Sequence, residues 1–379
     1  MREEGRISAF QAMIYQISIM LATLMLFIPG ITVMKARQDA LLASGLALLF
    51  GLLVVFMAAK LALRFPEESV VQYAPRVLGW FLGKLTGFIF VFYFFYLSYF
   101  VQRQFGELMG TAYFPLTPVI VFIVILTLLT VYVSYAGLEV LCRAALLWGV
   151  FVPAFFVLFA LIIKDIRVEH FLPVMEHGIG PVIAGSLLPG SVFTEASVIL
   201  MLMPFVSDKR RVVRTSLAAV VAVFILFLII VGSAVGTIGA ETVSRLMFPG
   251  FTLYRRVTMP TLPILERQDA LYMSIWVGGM LLKLATFFYA GMLGLGQWLG
   301  LKSFRPLIFP MAALTVALSV QSWGSITDII AFTMEVAPFT VDFPNFVLTA
   351  LILFVAVLRG VRGEPAGGGK RAHAADKKA

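Results

Sequence analysis

The chain has 379 residues, of which 61% are apolar and only 13% are charged. That is about half the charged fraction (~25%) of an ordinary globular protein, and the mean hydropathy of +0.99 agrees with it. So few charges cannot cover a soluble surface, which excludes a soluble domain behind a signal peptide. The net charge of +9 raises the possibility of nucleic-acid binding. Its distribution along the chain instead predicts a membrane protein with basic cytoplasmic loops and no nucleic-acid partner.

Long apolar runs follow one another along most of the chain. A helix needs about 20 apolar residues to cross ~30 Å of hydrocarbon. A membrane β-barrel is disfavoured, because its strands would alternate apolar and polar residues. We therefore predict an all-α integral membrane protein with ten transmembrane helices. The predicted spans are 7–33, 39–61, 82–107, 117–135, 139–163, 182–206, 214–238, 268–298, 304–322 and 341–359.

The domain organisation follows from these spans. Residues 1–362 are expected to form one membrane domain, and residues 363–379 a disordered basic tail. Ten spans divide into two halves of five, 7–163 and 182–359. Two of the loops, 164–181 and 239–267, are long enough to cap an external vestibule.

The basic residues predict the orientation in the membrane. With the N-terminus inside, the inside segments carry 19 Lys and Arg residues and the outside loops carry 8. Arg103 and Lys283 lie within spans. Cytoplasmic loops are enriched in Lys and Arg, so both termini are predicted to be cytoplasmic.

Helix-breaking residues occur in the first span of each half. The first span contains Pro29-Gly30, and the sixth contains Pro189-Gly190 shortly before Glu195. In transporters built from inverted repeats, two interrupted helices form the binding site near the bilayer midplane. Their exposed N–H and C=O groups suit a carboxylate and a cation, respectively. The pattern predicts a five-plus-five inverted repeat with broken helices 1 and 6, although Pro and Gly are also common in membrane helices generally.

Two charged residues within apolar spans are candidates for function, because such residues are costly in a membrane. Glu195 could bind an amine, carry a proton or hold the unwound backbone. Lys283 could pair with Glu195 in the site, replace a bound cation as a fixed positive charge, or form an ion pair that only holds helices together. Arg103 and Glu107 are four residues apart, which predicts a local ion pair on one helix face.

Other chemistry has no support in the sequence. There is no GxxxxGK[ST] loop and no soluble domain to hold a nucleotide, which disfavours a primary pump. Cys142 is the single cysteine, and the three histidines lack the spacing of metal ligands. We therefore expect no cofactor, no metal and no enzymatic activity.

A set of short motifs, unspecific one by one, resembles a known family in order and spacing. The motifs are Ile7-Ser8-Ala9-Phe10-Gln11, Leu26-Phe27-Ile28-Pro29, Arg64-Phe65-Pro66, Thr117-Pro118, Gly137-Leu138-Glu139 followed by Arg143, Leu172-Pro173-Val174, Phe193 with Glu195 and Pro204 before a basic run from Lys209, and Glu266-Arg267-Gln268-Asp269 with Trp276. Over about 7–360 the chain resembles the spore-germination permeases, the B subunits of nutrient germinant receptors, in the amino acid–polyamine–organocation superfamily.

The resemblance implies a location, partners and a ligand. The location is the inner membrane of the dormant spore, and the partners are an A subunit and a lipoprotein C subunit. The ligand is a germinant, usually an amino acid, held between helices 1, 3, 6 and 8. The implied ligand-binding residues are Ala22, Thr23, Leu24, Phe193, Thr194, Glu195 and Lys283. The implied coupling or gating residues are Glu195, Lys283, Pro29 and Gly190.

The sequence departs from the family pattern at two points. The first-span break reads Leu21-Ala22-Thr23-Leu24 where some members are glycine-rich, and Lys283 stands where a small or polar residue is expected. Three functions remain open: a germinant-sensing subunit, a proton-coupled amino-acid transporter with Glu195 as the proton carrier, and a channel or water/ion conduit opened by partners. The resemblance favours the first.

Overall fold

A computed structural model describes residues 5–153, 163–246, 248–256 and 268–363. Within these ranges the chain is helical, and extended pairing is limited to one parallel bridge between Ile7 and Val206. The α-helices in chain order are α1 (Ala9–Leu24), α2 (Ile28–Ala36), α3 (Ala40–Arg64), α4 (Val70–Leu78), α5 (Trp80–Leu108), α6 (Val119–Ala136), α7 (Leu138–Gly149), α8 (Ile179–Thr194), α9 (Ile199–Leu202), α10 (Val212–Ile238), α11 (Ala240–Ser244), α12 (Pro249–Arg256), α13 (Gln268–Trp298), α14 (Ile308–Gln321), α15 (Ile326–Glu335), α16 (Ala337–Asp342) and α17 (Thr349–Leu358).

Many of these helices are long and apolar enough to cross a bilayer. In the described part of the chain seven helical stretches meet that test: Ile28–Arg64, Trp80–Thr111, Val119–Ala136, Ile179–Phe205, Lys209–Ile238, Tyr272–Trp298 and Ala337–Leu358. A further pair, α14 with its preceding turn and α15, meets it together but bends by 98°. The protein is therefore an all-α multi-pass membrane protein, as predicted, while the count of ten and the halves 7–163 and 182–359 stay predictions.

Three predicted segments lie partly outside the described residues: the fifth span, the tail, and the outer loop 239–267, in which residues 247 and 257–267 are not described. The fifth predicted span, 139–163, begins with α7 but continues into residues 154–162, and the predicted tail lies almost entirely within 364–379. Of the two long predicted outer loops, 164–181 is described in full. It docks on the end of α10, where Gly236 O accepts bonds from Arg167 N at 2.9 Å and His170 Nδ1 at 2.8 Å.

The start of α1 is fixed to the end of the sixth predicted span. Ser8 and Gln11 form a capping box, which satisfies N–H groups that the first helical turn leaves free. Asp208 adds a side-chain cap, since its Oδ1 accepts from Ala9 N at 2.6 Å. Ile7 bonds the backbone beyond α9 in both directions, at 3.0 and 2.9 Å. These bonds hold the two broken spans together at their predicted cytoplasmic ends.

Small residues allow α3 and α8 to pack closely. A Cβ added at Gly51 in α3 would lie 2.5 Å from Cβ of Phe193 in α8. A Cβ added at Gly190 in α8 would lie 3.2 Å from the ring of Phe50. Interfaces between membrane helices are enriched in such residues because they let backbones approach. This contact therefore holds the end of α8 close against α3. Glu195 follows directly after that end.

Gly51→Ala is expected to lower the unfolding temperature, because the added methyl group overpacks this contact at a cost of about 1–3 kcal/mol. The matched control is Gly45→Ala in the same helix, where an added Cβ meets nothing within 4 Å. Thermal unfolding of the purified protein in detergent compares the two. Equal unfolding temperatures for both variants would contradict the close contact.

Candidate ligand-binding site

The first broken span is interrupted directly after Thr23. Helix α1 ends at Leu24 and α2 begins at Ile28, with three residues between them. Pro29 lies in the first turn of α2, where its missing N–H costs no helical hydrogen bond. The freed carbonyl of Met25 accepts a hydrogen bond from the Tyr272 hydroxyl in α13. The break is thus stabilised by a neighbouring helix. Pro29 marks the start of α2, the second part of the first broken span.

The sixth span is interrupted further along the chain than its proline predicts. Helix α8 continues through Pro189 and Gly190 and ends at Thr194. A 3₁₀ turn, Glu195–Val198, then leads into α9. The prediction of a break in this span is confirmed, but its expected position at Pro189-Gly190 is wrong by about five residues. Proline is tolerated within membrane helices because neighbouring groups satisfy the freed carbonyl.

Gln16 of α1 connects the two broken spans. Its Nε2 donates to Ala196 O in the 3₁₀ turn at 2.7 Å, and the side chain is fully buried. In a continuous α-helix that carbonyl would accept from an N–H four residues later. Here the same carbonyl accepts from the N–H of Ile199, three residues later, and the glutamine adds a second hydrogen bond that stabilises the backbone next to Glu195.

Gln16→Met keeps the size of the side chain but removes the donor to Ala196 O. Because a typical intramolecular hydrogen bond contributes about 0.5–1.5 kcal/mol, we expect a modestly lower unfolding temperature and weaker ligand binding together. Both are measured on the purified variant. Gln16→Glu is the matched comparison, since it keeps the shape but adds an acceptor and is expected to be at least as harmful. Wild-type stability in Gln16→Met would contradict the role assigned to this bond.

A buried ion pair lies where the two breaks meet. Lys283 Nζ of α13 donates to both carboxylate oxygens of Glu195, at 2.8 and 2.7 Å. The same nitrogen donates to Thr23 Oγ1. The two charged side chains are only 2% and 4% exposed. A lysine has three N–H donors, so these three acceptors use all of them.

A small cavity of about 30 Å³ adjoins the pair. Most of its lining is apolar; the polar lining residues are Thr23, Gln104, Ser191, Glu195, Lys283 and Thr333. A water molecule needs about 10–15 Å³, so the space holds one or two waters. In this conformation the cavity is too small for an amino acid. The two charged side chains of the ion pair bind each other rather than a ligand.

The structure brings three of the predicted ligand-binding residues together: Thr23, Glu195 and Lys283. Ala22 and Leu24 are buried beside them in α1. Ala22 packs towards α13, since a Cβ added at Gly279 would lie 3.2 Å from it.

Phe193, implied as a ligand-binding residue, is not among the residues lining this cavity. It is fully buried on the side of α8 that packs on α3 and α10, and its ring contacts Phe227 edge-on at 6.4 Å. Residues two apart on a helix do not share a face, and Phe193 precedes Glu195 by two. Phe193 therefore contributes to helix packing in this conformation, and its role in ligand binding stays a prediction.

Asp342, in α16, is a polar residue that the sequence reasoning missed. Its Oδ2 accepts from Ser191 Oγ at 2.7 Å, and its Oδ1 lies 3.2 Å from Thr194 Oγ1. Thr194, predicted to bind ligand, thus contacts this carboxyl group, while Ser191 also lines the cavity. The rule that selected Glu195, an acidic residue in an apolar run, also applies to Asp342.

Arg103 and Glu107 form the expected i,i+4 pair, at 2.7 Å, with both side chains 8% exposed. Arg103 also donates to the carbonyls of Ser319 and Val320, at 3.3 and 2.9 Å. These carbonyls lie at the end of α14, where the chain bends towards α15. The pair therefore fixes this corner and is separate from the Glu195–Lys283 pair.

Long apolar helices, two of them broken where a buried ion pair lies, define a permease-like membrane protein. A family model described as Spore germination protein matches residues 6–323, and the chain belongs to this family. It is 26% identical to spore germination protein KB of Bacillus subtilis (strain 168), over 97% of this chain and 98% of that protein. It is also 26% identical to spore germination protein YndE of the same organism, over 77% of this chain and 81% of that protein.

Solved transporter structures share the fold. The structure of MhsT in complex with L-phenylalanine matches with a TM-score of 0.66 at 11% identity, over 94% of this chain and 99% of that chain. Mhp1, a nucleobase-cation-symport-1 family transporter in a closed conformation with bromovinylhydantoin bound, matches with a TM-score of 0.56 at 12% identity. That match covers 93% of this chain and 78% of the Mhp1 chain. The predicted transporter-type fold is confirmed.

Proposed function

We propose that this protein is the germinant-sensing membrane subunit of a spore nutrient receptor, and that it binds a small amino-acid-like ligand at the Glu195–Lys283 pair. Its expected location is the spore inner membrane, with both termini cytoplasmic. Its expected partners are receptor subunits of the A and C types. The site binds its ligand without chemical conversion, so the proposal assigns no enzymatic activity.

The observation that carries this proposal is the closed ion pair between two broken helices. A zwitterionic amino acid carries the same two charges as the pair. When its carboxylate binds Lys283 and its ammonium binds Glu195, the ligand replaces each charged partner. A ligand that lacks either group would leave one buried charge unpaired, which is strongly unfavourable. The pair therefore favours zwitterions over singly charged or neutral compounds.

Binding requires the site to open, because the cavity has room only for water. A second cavity of about 190 Å³ is lined by Gly30 and Ile31 of α2 and by Ile330 of α15. The same two helices line the inner cavity, through Ile28 and Thr333. Movement of α15 about the bend after α14 would join the two cavities. A ligand that binds the open form better shifts the equilibrium towards it, and partner subunits would read this shift.

A proton-coupled transporter is the second candidate, and the likeness to transporter folds supports it. In that case Glu195 would carry the proton and the substrate would cross. A partner-gated channel or water/ion conduit, the third possibility, would give flux without coupling to an amino-acid gradient.

Uptake of a labelled amino-acid panel into proteoliposomes, with and without an inward proton gradient, separates these functions. The sensor proposal predicts no uptake, together with a ligand-dependent rise in unfolding temperature that verifies binding by the reconstituted protein. Gradient-driven uptake that is lost in Glu195→Gln would establish transport and overturn the sensor assignment.

A further inference from the structure

Asp342 is a partly buried acidic residue, and no cationic side chain bonds it in the described part of the chain. Its hydrogen-bond partners are the hydroxyls of Ser191 and Thr194, both fully buried. The nearby basic group, Lys283, donates all of its N–H bonds to Glu195 and Thr23. The Glu195–Lys283 pair is neutral as a unit, so the negative charge of the Asp342 carboxylate is not compensated by Lys283.

The hydroxyl protons around Asp342 do not satisfy its carboxylate. Each hydroxyl has one proton to donate. Thr194 Oγ1 lies 2.7 Å from Ser191 O and 3.2 Å from Asp342 Oδ1, so its proton goes to the nearer carbonyl. That carbonyl is free to accept it, because the amide of Glu195 bonds Val192 O and Phe193 O at the end of α8 instead. Asp342 then receives one short hydrogen bond, from Ser191 at 2.7 Å, and a long one that shares the Thr194 proton, at 3.2 Å, although a carboxylate accepts about four.

The next residues along the chain add oxygen and amide groups to the same place. After Asp342 the helix continues as a π-helical segment, Phe343–Leu348, and such turns occur frequently at functional sites. Asn345 of this segment donates to Thr194 Oγ1 at 3.2 Å and to the Tyr93 hydroxyl at 2.7 Å. Pro338 O lies 3.5 Å from Ser191 Oγ. Because Asn345 donates to the Thr194 hydroxyl, the hydroxyl proton of Thr194 points away from Asn345.

We propose that Asp342, Ser191 and Thr194 bind an alkali-metal cation between α8 and α16. The carboxylate supplies one negative charge, and the two hydroxyls and Pro338 O supply neutral oxygen ligands, which suit hard cations. A monovalent ion neutralises the single uncompensated carboxylate, whereas a divalent ion would leave a net positive charge in a poorly solvated place.

The proposal is independent of the ligand proposed above. The cation site lies on the α16 side of Ser191, whereas the ion pair lies towards α1 and α13. Because Ser191 belongs to the cation site and also lines the cavity, an ion bound at Asp342 would hold α16 against α8 and so stabilise the closed cavity.

The test is thermal unfolding of the purified full chain, without any amino acid, in LiCl, NaCl, KCl or choline chloride at constant ionic strength and pH. The proposal predicts a saturable rise in unfolding temperature with at least one alkali chloride over choline chloride, because choline is too large for the site. Asp342→Asn should abolish the rise. Asp328→Asn, which removes an exposed carboxylate in α15, should preserve it.

Two results would overturn the proposal. One is the same unfolding temperature in all four salts for the wild type, which would mean that Asp342 carries a proton rather than an ion. The other is an alkali-dependent rise that persists in Asp342→Asn. Should Asp342→Asn fail to fold, Ser191→Ala replaces it, with an expected increase of tenfold or more in the salt concentration at half-saturation. An unchanged half-saturation in Ser191→Ala would count against the site in the same way.

Discussion

Glu195→Gln is expected to reduce the free energy of unfolding by about 3–5 kcal/mol, because it leaves the buried ammonium of Lys283 without its partner. Both charged side chains are almost fully buried, so solvent cannot compensate. The double variant Glu195→Gln/Lys283→Met removes both charges and should recover most of the loss. Thermal unfolding in detergent of the two single variants and the double variant measures the coupling between the residues.

The same variant should also abolish the response to ligand while the protein remains folded. The matched control is Glu107→Gln, which breaks the buried pair with Arg103; neither residue of that pair lines the cavity. It should cost comparable stability but preserve the ligand response. A normal germination response in spores that carry Glu195→Gln would remove this residue from the mechanism.

Lys283→Met is expected to change which compounds act on the protein. It removes the positive charge proposed to bind a carboxylate, while Glu195 can take up a proton and become neutral. Amino acids should lose at least tenfold in effective concentration, whereas amines that lack a carboxylate should lose much less. A germination assay across a panel of both classes measures this. An unchanged order of potency across the panel would show that Lys283 is only a structural partner.

The main elements of the site could be predicted from the sequence because charges in apolar runs are conspicuous. Glu195 and Lys283 are costly in a membrane unless they have a partner, so their pairing was one of few options. The presence of a break in each of the first and sixth spans also followed from proline and glycine. The pairing geometry with Thr23 did not follow, because it depends on how α1, α8 and α13 pack.

The exact end of α8 could not be predicted from local sequence. Pro189 and Gly190 weaken a helix, but where it ends depends on side chains that bond the backbone carbonyls near that end. Those groups are Gln16 from α1 and the side chain of Thr194, and only the first of these is distant in sequence. The orientation of Phe193, by contrast, was available from helical geometry, since it lies two residues from Glu195.

Asp342 is hard to recognise as a buried residue from the sequence, because it stands at the beginning of the last predicted span. An acidic residue at that place resembles one at the membrane surface. Its contacts with Ser191 and Thr194 depend on the packing of α16 against α8, which follows the 98° bend between α14 and α15 in the chain. No local sequence pattern predicts such a bend as clearly as the apolar runs predict the helices.

The central claim is that a zwitterionic ligand binds at the Glu195–Lys283 pair. The most direct measurement is the ligand-dependent shift in unfolding temperature of the purified protein across the amino acids. For each amino acid that gives a shift, the measurement is repeated with two derivatives of that amino acid. The amide lacks the carboxylate, and the deaminated acid lacks the ammonium. We predict a shift with at least one amino acid and its loss with both derivatives. Shifts of equal size with the derivatives, or the full shift in the Glu195→Gln/Lys283→Met variant, would contradict the claim.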